Sequence, residues 1–278
     1  MGVATDLTAD PALLNRLRNR RGQWWIAIVE SAHVISALVM RESATRYGGS
    51  RLGYLWAFIE PLALLAIFLA IKVYIRDRVV FGESALVFVA SGFLTVRISL
   101  AIARQTMGSI TSNRSLMTFP SVAPLDAVLA KLITEMLTMG TVIVLFYVLL
   151  VNSSDVATID DPVKFTTAIA VTFLVAGGVG VFNSAIVIVW KNYSRIFGLL
   201  SLPLLISSGV FYLPALMGPT ALAILSWNPV LHCVEWFREA IYMDYVSVLD
   251  PSYPITFGLI MLGTGLILVR MLGTRVPD

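Results

Sequence analysis

The chain of 278 residues has one cysteine, Cys233, and two histidines, His33 and His232. A lone thiol excludes an intrachain disulfide, and two histidines so far apart form no metal-ligand cluster. Charge is scarce as well: 13% of residues are charged, about half the share of an ordinary soluble domain. No GxxxxGK[ST] phosphate loop occurs, so ATP is not bound in that way. HExxH and GxSxG are also missing, and no catalytic constellation can be assembled from what remains. No cleavable signal peptide is expected, because the opening residues are polar and run into Arg16, Arg18, Arg20 and Arg21.

Apolar side chains fill the space that charge leaves. The chain is 58% hydrophobic, with a mean hydropathy of +0.84. A chain so apolar cannot hide its surface from water, which makes it an all-α polytopic membrane protein. Its pI near 9.1 does not imply nucleic acid, because the basic excess sits mainly at helix ends, where membrane topology accounts for it.

Residues 1–51 read as a cytoplasmic tail and an amphipathic interface helix, and 52–278 as a transmembrane domain. Gln23 to Arg46 is apolar enough to touch a membrane, yet Glu30, His33 and the Arg41/Glu42 end interrupt it. It is expected to lie in the interface, with Trp24 and Trp25 as anchors. A spanning helix here would reverse the side of every later loop. Six spans follow: Leu52 to Ile75, Ala85 to Ile110, Leu125 to Val151, Val163 to Trp190, Ile196 to Tyr212 and Tyr253 to Arg270. Basic residues concentrate on one set of loops, which puts both termini in the cytoplasm. Between the last two spans, 213–250 holds two apolar pieces too short to cross, broken by Pro214, Pro219 and Asn228-Pro229. They read as two short re-entrant helices or as an amphipathic external loop. Gly177, Gly178 and Gly180 lie inside an apolar span, where they mark a helix-packing or kinking site rather than a dinucleotide loop.

Intramembrane charges are the strongest functional signal. Glu60 lies in the first span; Arg97 and Arg104, seven apart in the second, share a helix face. Glu60 and Arg104 match in depth. Arg97, nearer the middle, faces either a channel with an anionic ligand or a structural partner. Lys131 and Glu135, four apart, suit a local ion pair. Tyr54, Trp56, Phe58, Phe88, Phe93, Phe182, Phe211 and Tyr212 are candidate sugar-stacking rings, and each also suits a core or an interface belt. Arg114, Leu116, Met117 and Phe119 make a short loop element suited to docking a soluble partner or to packing on the interface helix.

The stretch RYGGSRLGYLWAFIEPL (Arg46 to Leu62) after a basic helix resembles the permease subunit of bacterial ATP-binding-cassette (ABC) exporters of capsular polysaccharide, the type-2 permease class. The resembling positions are Arg46, Tyr47, Ser50, Arg51, Leu52, Gly53, Trp56, Glu60 and Pro61. Asn228-Pro229 and Arg238 follow in the external segment, beside Trp227. The resemblance implies a homodimeric conduit lined by Tyr54, Trp56, Glu60, Phe93, Arg97 and Arg104, carrying an anionic lipid-linked polysaccharide across the inner membrane. It implies coupling to a separate nucleotide-binding ATPase through Arg41, Arg46, Arg114, Leu116, Met117 and Phe119. ATP and magnesium would sit on that subunit, with no cofactor in this chain. It also implies re-entrant helices over 213–250, a periplasmic co-polymerase and an outer-membrane export channel. Export of O-antigen or teichoic acid shares the opening motif. A proton-coupled secondary transporter relaying through Glu60, Arg97 and Arg104 is the reading from a different class, and inverted repeats would support it.

Overall fold

The computed structural model describes residues 29–44, 59, 63, 85–119, 122–153 and 159–273. Among these, regular structure is entirely helical. Helix α1 covers 29–44; the expected first span lies outside the described residues except at Ile59 and Ala63. Then come α2 (Ala85–Met107), the single turn α3 (Ser109–Ser112), α4 (Pro124–Ser153), α5 (Pro162–Val189), α6 (Tyr193–Ser207), α7 (Pro219–Leu225), α8 (Pro229–Ile241) and α9 (Ser252–Leu272). Among the described residues four helices, α2, α4, α5 and α9, are long and apolar enough to cross a membrane. Their ends fall within three residues of those expected from hydropathy.

Helix α5 is the hub. Asp161 starts it by accepting bonds from the N–H groups of Val163 and Lys164, with Pro162 in the first turn. Its glycines then let backbones meet. A Cβ on Gly178 would lie 2.6 Å from the carbonyl oxygen of Gly258 in α9, and one on Gly265 would lie 2.6 Å from the nitrogen of Phe182. A Cβ on Gly180 would lie 2.7 Å from Cβ of Thr106 in α2, and one on Gly177 would lie 2.9 Å from Cε of Met136 in α4. Between helices that lipid surrounds, close van der Waals packing replaces the hydrophobic drive, so small residues decide where backbones approach. The glycine cluster is thus a packing site in an unbroken helix.

These registers also set direction. Gly258 faces the Leu174–Gly178 turn and Gly265 faces Val181–Phe182, so α5 and α9 run parallel. The chain between them must return along the bundle, and α6 carries that return. It is shorter than the expected span Ile196 to Tyr212, at 15 residues with Pro203 inside it. The hydroxyls of Ser207 and Ser208 turn back onto the carbonyl of Leu204 at 3.2 and 2.6 Å. Gly209 then takes φ +71°, a conformation glycine adopts readily. Side-chain competition for the backbone and a left-handed residue end the helix early. The second expected span also stops early, at Met107, where Gly108 separates α2 from α3.

Replacing Gly178 by leucine drives a side chain into the α9 backbone, and overpacking of this kind costs about 1–3 kcal/mol or more. The detergent-solubilised protein should lose about 5 °C or more in melting temperature. Gly198→Ala, where the added Cβ meets nothing among the described residues within 4 Å, should not lower the melting temperature and should raise it slightly, since alanine favours a helix interior over glycine.

Candidate functional site: charged layers at the two ends of the bundle

At one end, α8 is held by a buried arginine. Arg238 and Glu235 are both 0% exposed. The Arg238 guanidinium lies 3.7 Å from the Phe88 ring centroid. Its Nη2 donates to the carbonyls of Phe88 and Val210 at 3.4 and 3.2 Å. Its Nη1 reaches Glu235 Oε1 at 3.5 Å and the Tyr245 hydroxyl at 3.4 Å. Glu235 accepts in turn from the Tyr245 hydroxyl at 2.6 Å and from the Val248 N–H at 3.1 Å. One side chain therefore joins α8 to the start of α2 and to the turn after α6. Gly92 leaves room for it, since a Cβ there would lie 3.0 Å from Nη2.

Asn228 closes the same end. Its Oδ1 caps α8 by accepting from the Val230 N–H, while Nδ2 donates to Ser207 and Ser208 Oγ at 3.0 and 2.9 Å. The Ala240 carbonyl at the far end of α8 accepts from the N–H groups of Asp160 and Asp161, which precede α5. His232 receives the Asp250 N–H at Nδ1 and donates from Nε2 to the Ser226 carbonyl. Asp250 accepts from the Ser252 hydroxyl and N–H, and these bonds hold its carboxyl below the usual aspartate range. Trp227 is 79% exposed beside this packed layer, and its carbonyl accepts from the Tyr253 hydroxyl.

At the other end, two polar contacts fasten α1. Arg41 donates to Asn113 Oδ1 in the turn after α3, and Asn113 donates back to the Ser109 carbonyl at 2.9 Å. Glu42 pairs with Lys131 of α4, which also lies 3.9 Å from Glu135. The local Lys131–Glu135 pair thus exists, with a second carboxylate brought from far away in sequence. In the loop element beside them Arg114 is exposed, Leu116 and Met117 are partly buried, and Phe119 is 59% exposed. Met117 packs on the core, so Phe119 and Arg114 are the groups left at the surface.

The remaining sequence-derived residues separate. Tyr54, Trp56, Glu60 and Arg46 lie outside the described residues. Phe93 is 3% exposed within the main core, so its ring is not presented on the protomer surface. Phe88 is buried under Arg238. Arg97 is half-buried. Arg104, on the same face, is exposed and donates from Nη2 to Ser201 Oγ of α6 at 2.9 Å. Glu235, Tyr245, Asn113 and Ser201 escaped the sequence reading. Glu235 stands three residues before Arg238, a helical spacing that could have suggested it; the other three depend on tertiary packing.

Apolar helices packed through glycines, with charge gathered in layers at the two ends, define an integral-membrane helical bundle. The chain belongs to the ABC-2 type transporter family, whose model matches residues 33–242. It is 29% identical to the polysialic acid transport protein KpsM of Escherichia coli over 237 residues, 85% of this chain and 92% of that protein. It is 28% identical to the capsule polysaccharide export inner-membrane protein BexB of Haemophilus influenzae over 238 residues, 85% and 90% of the two chains. Against the capsule polysaccharide export inner-membrane protein CtrC of Neisseria meningitidis serogroup B the identity is 26% over 249 residues, 88% and 93% of the two.

Removing one member of a buried ion pair leaves the other without compensation, at about 3–5 kcal/mol. Arg238→Met should therefore destabilise the solubilised protein more than the double replacement Glu235→Gln/Arg238→Met, which removes both charges. Melting curves of the two variants side by side check this order.

Proposed function

We propose that this chain is the membrane-spanning half of an ATP-driven exporter that carries lipid-linked capsular polysaccharide from the cytoplasm across the bacterial inner membrane. One observation carries the reading: relatives named for polysialic acid transport or capsule polysaccharide export align over nine-tenths or more of their own length. Family membership favours it over proton coupling through Glu60, Arg97 and Arg104. ATP and magnesium bind a separate nucleotide-binding subunit, and this chain contributes no cofactor. Two copies form the conduit, with both termini cytoplasmic. Six spans cross: the segment from Leu52 to Ile75, then α2, α4, α5, α6 and α9. The parallel course of α5 and α9 supports α6 as a crossing despite its length. The short helices α7 and α8 dip into the membrane from the outer face. A periplasmic co-polymerase and an outer-membrane channel continue the path.

In this reading the layer at Arg41, Glu42 and Lys131 is cytoplasmic, and it is where force enters. Closure of the ATPase dimer pushes on Arg114, Phe119 and the end of α1. The Glu42–Lys131 pair and the Arg41–Asn113 bond pass that displacement to α4 and to the α2–α3 junction. At the outer end, Arg238 obliges α8 to move with the start of α2 and the end of α6. Arg97 faces the conduit and offsets the negative charge of the polymer, while aromatic faces give sliding contacts.

Co-expression with the ATPase encoded beside it should give a complex of two copies of each subunit that turns over ATP. Failure of any ATPase to co-purify under gentle extraction would overturn the reading. Arg97→Ala should cut surface polysaccharide severalfold while the complex still assembles, measured by capsule staining and size-exclusion chromatography. Normal surface polysaccharide in that variant would remove Arg97 from the substrate path.

A further inference from the structure

The burial pattern of α2 changes sharply along its length. From Val87 to Val96 every residue is buried. Beyond that a stripe opens: Arg97, Leu100 and Ala101 are partly exposed and Arg104 is exposed, whereas Ile98, Ser99, Ile102 and Ala103 stay buried. The spacing of 97, 100, 101 and 104 is one helix face. Helix α6 flanks that face. Ser201 of α6 receives the Arg104 Nη2 bond at 2.9 Å and donates its own hydroxyl to the Gly198 carbonyl. Among the described residues a Cβ at Gly198 would meet nothing within 4 Å, so they leave the groove open there.

Neither helix supplies a carboxylate. The α2 sequence ALVFVASGFLTVRISLAIARQTM and the α6 sequence YSRIFGLLSLPLLIS contain Arg97, Arg104 and Arg195 and no Asp or Glu. Among the described residues no carboxylate lies within salt-bridge distance of Arg104; Ser201 is its hydrogen-bond partner. Away from Ser201, the remaining surface of α6 is apolar, with Leu199 77% and Leu202 63% exposed. An exposed guanidinium inside an apolar span is expensive unless water or an anion meets it. Arg104 lies three residues from the end of α2, about 5 Å along the axis, within reach of a lipid headgroup at that end of the helix. Its fork of N–H donors, one of them already fixed by Ser201, suits the oxygens of a phosphate.

We infer that the α2–α6 groove at Arg104, Ser201 and Gly198 is a binding site for the phosphodiester of an anionic lipid. The phosphate comes either from a membrane phospholipid or from the lipid anchor of the exported glycan. Only the second source rests on the export reading, and the binding itself is measured without ATPase or transport.

The test uses the full-length chain in a neutral detergent, with lipid retention read by native mass spectrometry. The probes are dioleoyl phosphatidylglycerol, dioleoylglycerol as the control without phosphate, and a synthetic dioleoyl lipid whose phosphodiester bears an oligosaccharide. A hydrogen-bonded charge lost from such a site corresponds to about tenfold or more in affinity. Arg104→Gln should therefore weaken phosphatidylglycerol binding about tenfold, Arg104→Lys, which keeps the charge and loses the fork, should weaken it less, and dioleoylglycerol should be unaffected. Tighter binding of the glycosylated probe than of phosphatidylglycerol would assign the site to the lipid anchor. Equal binding would assign it to membrane lipid. Unchanged phosphatidylglycerol binding in Arg104→Gln overturns the inference. So does an equal loss for phosphatidylglycerol and dioleoylglycerol, and so does dissociation of a dimer of this chain with lipid binding intact, which would give the groove to a second copy.

Discussion

The buried guanidinium of Arg238 is the constraint to which the rest of one end of the molecule conforms. A charge taken out of water costs several kcal/mol unless its surroundings replace the lost solvation. Here the replacement is shared among distant segments: carbonyls of α2 and of the turn after α6, the carboxylate of Glu235, the hydroxyl of Tyr245 and the face of Phe88. None of these can move away alone without stranding the charge. Gly92 and Gly209 then follow from the same requirement, one by leaving room beside Nη2 and the other by turning the chain so that the Val210 carbonyl points inward.

The opposite end is built differently. Its contacts, Arg41 with Asn113 and Glu42 with Lys131, join α1 to the bundle through side chains that are largely, though not fully, buried. Each is a separate pair, whereas Arg238 is held by several partners at once. The two ends are therefore fastened differently, one by a single shared charge and the other by separate pairs. Between them α5 touches α9, α2 and α4 through glycines, and packing that close transmits displacement because it leaves nothing to compress.

Hydropathy made the long helices legible. The ends of α4, α5 and α9 fall within two residues of those expected, because length and apolar content alone decide whether a helix suits lipid. The glycine cluster at 177–180 was legible as a packing site for an equally local reason. Helix α6 was misjudged because its end is set by Ser207, Ser208 and Gly209, none of which interrupts an apolar run. Phe93 was placed among sugar-stacking rings because the face an aromatic presents depends on neighbours the sequence does not name. Lys131 shows the limit most clearly: its partner four residues away was visible, and Glu42, brought from 89 residues away, was not. Arg46, Trp56 and Glu60, which carry the family resemblance, and the channel candidate Tyr54 lie outside the described residues, so the structure adds nothing to their reading.

The division within α2 ties these observations to transport. A helix that is wholly buried over its first half and striped over its second cannot line a continuous path by itself. It is a wall at the end where Arg238 anchors it and a lining at the end where Arg97 and Arg104 emerge. The two arginines are therefore positioned to act early along a path that begins at the Met107 end of the helix and late along one that begins at the other. In the export proposed above, with the α1 layer on the cytoplasmic side, the first charged groups an anionic substrate would meet on α2 are Arg104 and then Arg97. The locked layer held by Arg238 lies beyond them. In such an arrangement the charge that attracts the substrate and the charge that holds the structure are kept apart, so loading the first does not strand the second.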